Sequence, residues 1–165
     1  MQIEPNNKEI NKVVLLAYIG EIIVNKINKK AEKYIRVREA MNFCWKWIED
    51  QSAEIWDIYD FLDNEDEDDL VNYYLTVSEN EKKEYGVILG VVSFISYNIM
   101  IDNQEPIPQF LGGIDEEYYN QIIEEAIQLN IIDSSGNLEN KIIDYCSKKE
   151  NEKVGFVKSQ IMSLC

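Results

Sequence analysis

The chain contains no histidine. That absence removes the Ser-His-Asp and Cys-His arrangements of nucleophilic catalysis, imidazole metal ligands, and the Glu-x-x-His motif of di-iron helix bundles. Glycine, at 7, and proline, at 3, are scarce in 165 residues, which leaves long stretches free of helix breakers. No phosphate-cradling P-loop occurs, and no G-x-G-x-x-G follows a strand. The three cysteines, Cys44, Cys146 and Cys165, fit no metal spacing, and an odd number is no disulfide framework. Positive charge is also short: 16 Lys and Arg stand against 31 Asp and Glu, a net charge of −15. Phosphates are repelled by such a balance, so direct binding of nucleic acid or of an anionic membrane is not expected. Met1 to Lys12 is polar, with no apolar signal segment, and a cytoplasmic location is the expectation. Nothing in the composition points to a cofactor or to an enzyme.

What is present is helical pattern. With 45% hydrophobic residues, the chain has ordinary globular content, and its length suits a single domain over 1–165 with one core. Ile10, Val13, Val14, Ala17, Gly20, Val24 and Ile27 fall at helical spacing between Lys8 and Ile27. Tyr34, Val37, Met41, Cys44 and Ile48 predict a second amphipathic helix over Ala31 to Asp50, with Cys44 as a small core residue. Ser52 is placed to cap a short third helix carrying Ile55, Ile58, Tyr59 and Leu62. Leu70 to Val77 reads as a short helix, although its Val and Tyr content also suits a strand. Ser78 and Glu81 form a capping-box pattern before an apolar helix over about 79–101. Its segment Tyr85 to Ile101 approaches the length of a membrane span but carries Gly, Ser, Tyr and Asn, and a central helix buried on all sides fits it better. Gly86 and Gly90 within it are suited to close helix packing. Asp102 to Gly113 is a loop, and Asp115 starts a further helix. Ser134, Ser135 and Gly136 precede a helix from Leu138 to Cys146, and Val154, Val157, Ile161 and Leu164 suggest a last one from Asn151. The expected fold is all-α: an irregular or orthogonal bundle of six to eight helices around the helix at 79–101.

Charge is segregated along this chain. The first 38 residues hold eight of the sixteen basic residues, whereas between Trp47 and Asn140 there are 23 acidic residues and only Lys82 and Lys83. The densest cluster, Asp57, Asp60, Asp63, Glu65, Asp66, Glu67, Asp68 and Asp69, adjoins Trp56, Tyr59 and Tyr73. A second group, with Glu116 and Glu117, adjoins Tyr118 and Tyr119. Most such aromatics belong to a core, and a charge run is usually a solvated face. Carboxylates beside aromatics nevertheless also build docking surfaces: the charge steers a basic partner and the rings anchor it. Asp57, Asp60, Asp63, Glu65 to Asp69, Glu116, Glu117 and Tyr73 are therefore the candidate partner-binding residues. The run Asp63 to Asp69 fails the EF-hand pattern, with an acid at the Gly position and Leu75 where the bidentate Glu belongs.

The stretch Arg38 to Asp69 carries a family resemblance. Cys44, Trp45, Lys46 and Trp47 form a C-W-x-W segment. Ile58, Tyr59 and Leu62 follow as an L-Y-x-x-L-like helix with one aliphatic swap, leading into Asp63 to Glu65. Farther on, the apolar helix precedes a loop with Pro106 and Pro108. Over roughly Ile10 to Asn130 the chain resembles the sixth family of immunity proteins from bacterial polymorphic toxin systems. The resemblance implies a small helical protein without catalysis that binds a cognate toxin and protects the cell. The charge suggests a basic, nuclease-type toxin domain as that partner. Two other readings compete: a helical regulatory or scaffold module that binds another basic protein, and a carboxylate-based metal hydrolase.

Overall fold

The computed structural model describes residues 7–165, with side chains from Glu9 onward. The polar start at Met1 to Lys12 therefore lies partly outside the described residues. Among these residues there are eight α-helices and no strand: α1 (Asn7–Lys26), α2 (Glu32–Asp50), α3 (Ile55–Leu62), α4 (Leu70–Thr76), α5 (Glu79–Asp102), α6 (Glu116–Gln128), α7 (Asn137–Glu152) and α8 (Lys158–Met162). A 3₁₀ turn at Gln109–Leu111 interrupts the Pro-containing loop and buries Leu111. One apolar cluster draws residues from all of these elements.

α5 is the central element, packed by α1, α2, α4 and α6. It is long and apolar enough to cross a membrane by length and composition alone, but in this fold most of its apolar stretch is covered by other helices. It does not stand alone as an all-round apolar element. α1 is buried without interruption from Val13 to Ile19, because α5 and α2 cover part of it and α7 covers more.

Close approach to α5 depends on glycine. A Cβ at Gly90 would meet Ile122 Cγ1 at 2.9 Å and Cδ1 at 3.0 Å, and one at Gly86 would meet the Tyr74 ring at 3.2 Å. Gly90→Leu is expected to destabilise the protein by about 2 kcal/mol through overpacking between α5 and α6. Gly113, with open space at the Cβ position, should accept alanine within about 0.5 kcal/mol. Paired urea melts check the contrast.

With so few glycines, the helices end on other residues. Gln104, Asn130 and Lys153 follow α5, α6 and α7 in the left-handed region, at φ 57°, 56° and 54°. After α5, Glu105 N donates to Met100 O at 2.9 Å and Gln104 N to Ile101 O at 3.1 Å, which is the Schellman closure. Pro106 then bars any continuation.

Three local expectations are corrected. The third helix is capped at Glu54, not Ser52, and no side chain completes that cap; Gln51, at φ 52°, turns the chain out of α2 first and leaves Ser52 in the connection. Ser78 does begin α5, but its hydroxyl donates to the Glu81 carboxylate at 2.7 Å instead of bonding a backbone N–H. The last helix is shorter than expected. Asn151 and Glu152 finish α7, the residues from Val154 to Val157 are non-helical, and only Lys158–Met162 is helical.

Candidate functional site

The dense acidic cluster divides into an inner part that builds a loop and an outer part that faces solvent. Asp69 is 2% exposed. Its carboxylate caps α4 by accepting from Asn72 N at 2.8 Å and holds the loop start by accepting from Asn64 N at 3.0 Å. Asn64 in turn accepts from Asp66 N at 2.7 Å and donates to Asp60 at 2.7 Å. Glu67 takes the left-handed conformation at φ 59°, closing the turn with a bond to Asn64 O.

Arg36 on α2 fastens this loop from the side. Its Nη2 lies 2.8 Å from Asp60 Oδ2, its Nη1 3.4 Å from Glu39 and its Nε 3.7 Å from Asp68 Oδ2. Its guanidinium carbon stands 5.2 Å from the centre of the Phe61 ring. Burial works against the charged guanidinium, but Asp60 and then Asp68 outweigh it and hold its pKa above the ordinary value. Tyr73, 8% exposed, is not a surface anchor. Its hydroxyl donates to Asp68, and Lys33 Nζ sits 5.3 Å over its ring. Asp69 and Tyr73 thus lie beneath the surface that the sequence assigned to them.

The outer part is a shallow groove of about 540 Å³ lined by Trp56, Tyr59, Asp60, Asp63, Asn64, Glu65 and Asp66. Trp56, Tyr59, Asp60 and Asp63 fall at i, i+3, i+4 and i+7, one face of α3 and its C-cap. The core takes Ile58, Phe61 and Leu62 instead. Trp56 is 79% exposed. Its ring lies 6.0 Å from Tyr59, which rests edge-on against Phe110 at 5.4 Å. Sequence reasoning noticed Trp56 only as a neighbour of the acids; its position on the α3 face away from the apolar stripe marked it as outward. Asp57 is exposed beside this groove. Glu67 and Asp68 line an adjoining one with Lys33, Arg36 and Tyr73.

The second acidic group lies elsewhere. Asp115 caps α6 by accepting from Tyr118 N at 2.8 Å. Glu116 and Glu117 occupy its first turn, where negative charge complements the helix dipole. Glu116 also pairs with Lys12 of α1, and Tyr119 is buried against Phe94. Neither Glu116 nor Glu117 lines the groove at Trp56. Among the described residues, no three carboxylate or thiol groups converge to hold a metal ion.

A buried carboxylate absent from the sequence reading is Glu21, 5% exposed within α1. It accepts from Arg38 Nη1 at 2.7 Å and from the Trp45 indole at 3.0 Å, and pairs with Lys158 Nζ at 3.1 Å. These bonds tie α1, α2 and α8 together. Burial pushes the Glu21 carboxyl up, and the hydrogen bonds and charges of Arg38 and Lys158 bring it below its ordinary value overall.

A family model described as Immunity protein Imm6 matches residues 11–129, which is α1 through α6 and more than half of the chain. No curated protein and no solved structure matches the chain.

Proposed function

The chain belongs to the Imm6 family of immunity proteins, and from that premise we propose that it neutralises a cognate polymorphic toxin, delivered by contact or secretion, by binding it through the acidic groove at Trp56. The toxin domain is basic and of nuclease type, and the inhibitor acts in the cytoplasm without turning over a substrate. One observation carries this reading: the exposed Trp56 stands among carboxylates of which only Asp60 has an ion pair within the described chain. Asp57, Asp63, Glu65 and Asp66 are exposed and accept no side-chain hydrogen bond. A fold gains nothing from such repulsion, whereas a basic cleft built to attract phosphate is drawn to it. The carboxylates then occupy positions that nucleic-acid phosphates would take.

Co-expression tests the proposal. The toxin domain encoded beside this gene should arrest growth alone, be harmless with this chain, and co-purify with it in a 1:1 complex. In vitro, nuclease activity should fall in proportion to added inhibitor and vanish at equivalence. Arrest that this chain does not relieve would favour the scaffold module acting on another basic protein.

A further inference from the structure

The acidic loop already shows, on one side, how it takes up a cation. The guanidinium of Arg36 lies 5.2 Å from the centre of the Phe61 ring and pairs with Asp60 and Asp68. An aromatic face flanked by two carboxylates is the surrounding that suits a planar guanidinium, which combines fork-shaped hydrogen bonding with stacking. A lysine ammonium offers the charge without the plane.

The other side of α3 repeats those parts. The Trp56 ring replaces Phe61, and Asp63, Glu65 and Asp66 supply carboxylates beside Asp60, which Arg36 already holds. No Lys or Arg is among the residues that line this groove. Beneath it Tyr59 leans on Phe110, and Asn64 donates to Asp60. Tryptophan is also the strongest cation–π acceptor among the aromatic side chains.

The geometry points to an arginine of the partner as the anchor of this interface: its guanidinium lies on the exposed face of Trp56 and pairs with the carboxylates at Asp63 and Asp66. This deepens the docking reading above and rests on it for the partner's identity, but the arginine preference can be measured without the toxin. The charge complementarity excludes an acidic occupant, and two carboxylates at one ring favour the forked guanidinium, whereas a single carboxylate beside a ring takes a lysine elsewhere in this fold, where Lys158 stands 5.5 Å over Trp45 and pairs with Glu21.

The test uses the full chain, ¹⁵N-labelled, titrated at low salt with the capped tripeptide Gly-Arg-Gly and separately with Gly-Lys-Gly. The expected result is a shift of the Trp56 indole N–H and of the Asp63 and Asp66 amides, with arginine binding about fivefold tighter than lysine. The Trp45 and Trp47 indoles are buried and should stay in place. Trp56→Leu changes an exposed side chain and should leave the rest of the spectrum intact while abolishing the arginine preference. Equal affinity for the two peptides overturns the inference. So does a shift centred on Glu116 and Glu117, or no shift at Trp56 up to the solubility limit. Failure of the immunity reading would look different: the arginine peptide would bind as expected, and the toxin would remain active beside this chain.

Discussion

Glu21→Gln should be among the most destabilising single substitutions in this chain, lowering stability by about 3 kcal/mol, because it leaves Arg38 and Lys158 without their shared anion in a mostly dry site. For a chain of this size that corresponds to a melting temperature lower by roughly 10 °C. The figure sits at the low end for a broken buried pair because both cations keep some access to water and Arg38 retains Asn25 at 2.8 Å. The glutamine carbonyl still accepts the Trp45 indole, so the loss reports the charge more than the hydrogen bond. Lys158→Met should cost less, since Arg38 still neutralises Glu21. The same carboxylate gives stability a pH dependence. Its folded pKa is below the ordinary 4.5, so its contribution is fully present above the unfolded value and disappears as pH falls through the folded one. Urea melts of the wild type should weaken below about pH 4.5 in part through this group, and Glu21→Gln should flatten that part of the profile. An unchanged profile in the variant would show that Glu21 is not the linked group.

The second large effect is kinetic. Replacing Asp57, Asp63, Glu65 and Asp66 together with Asn and Gln should slow association with the toxin domain about 10- to 100-fold at low salt. The dissociation rate should change much less. In 1 M salt, where the Debye length is about 3 Å, the difference should nearly vanish. The fold should suffer little: the charge of Asp57 leaves the first turn of α3, but none of the four side chains makes an ion pair or accepts a hydrogen bond within the described chain, and relief of repulsion acts in the opposite direction. Asp69 is the informative contrast. Asp69→Ala removes the α4 cap, expected to cost about 1 kcal/mol or more, and frees Asn64 and with it the shape of the loop. Stopped-flow association and denaturant melts on the two variants separate a steering surface from the scaffold beneath it. Association of the fourfold variant as fast as the wild type at low salt would rule out this groove as the steering surface.

Much of the helical frame was legible. α1, α2 and α5 have long apolar periodicity and few breakers, so their observed limits fall within one or two residues of the expected ones. Short elements were less legible. α8 contains only Lys158–Met162, because Val154 and Val157 had apolar character but belonged to the turn and extended stretch after Lys153. Ser52 has the right chemistry for a cap, yet the left-handed exit at Gln51 moves the start of α3 to Ile55. As a charge pattern, the acidic run forms one surface. Position decides otherwise for Asp69: an Asp just before an apolar run, three residues ahead of Asn72, is an N-cap pattern that the sequence itself carries.

The division between sequence and tertiary structure follows the range of the forces. Local sequence settled the all-helical class, the apolar centre at α5, the missing histidine chemistry and the acidic excess, because periodicity, propensity and composition act within a few turns of chain. Tertiary packing decided which acids face outward. Arg36 binds Asp60 and Asp68 from another helix, Lys12 reaches Glu116 across the fold, and Glu21 meets partners from α2 and α8. A carboxylate's role depends on the cation or ring brought against it, and those neighbours come from far along the chain. The groove at Trp56 exists for the same reason: α3 buries Ile58, Phe61 and Leu62, and that choice of face leaves the tryptophan and its carboxylates to the solvent.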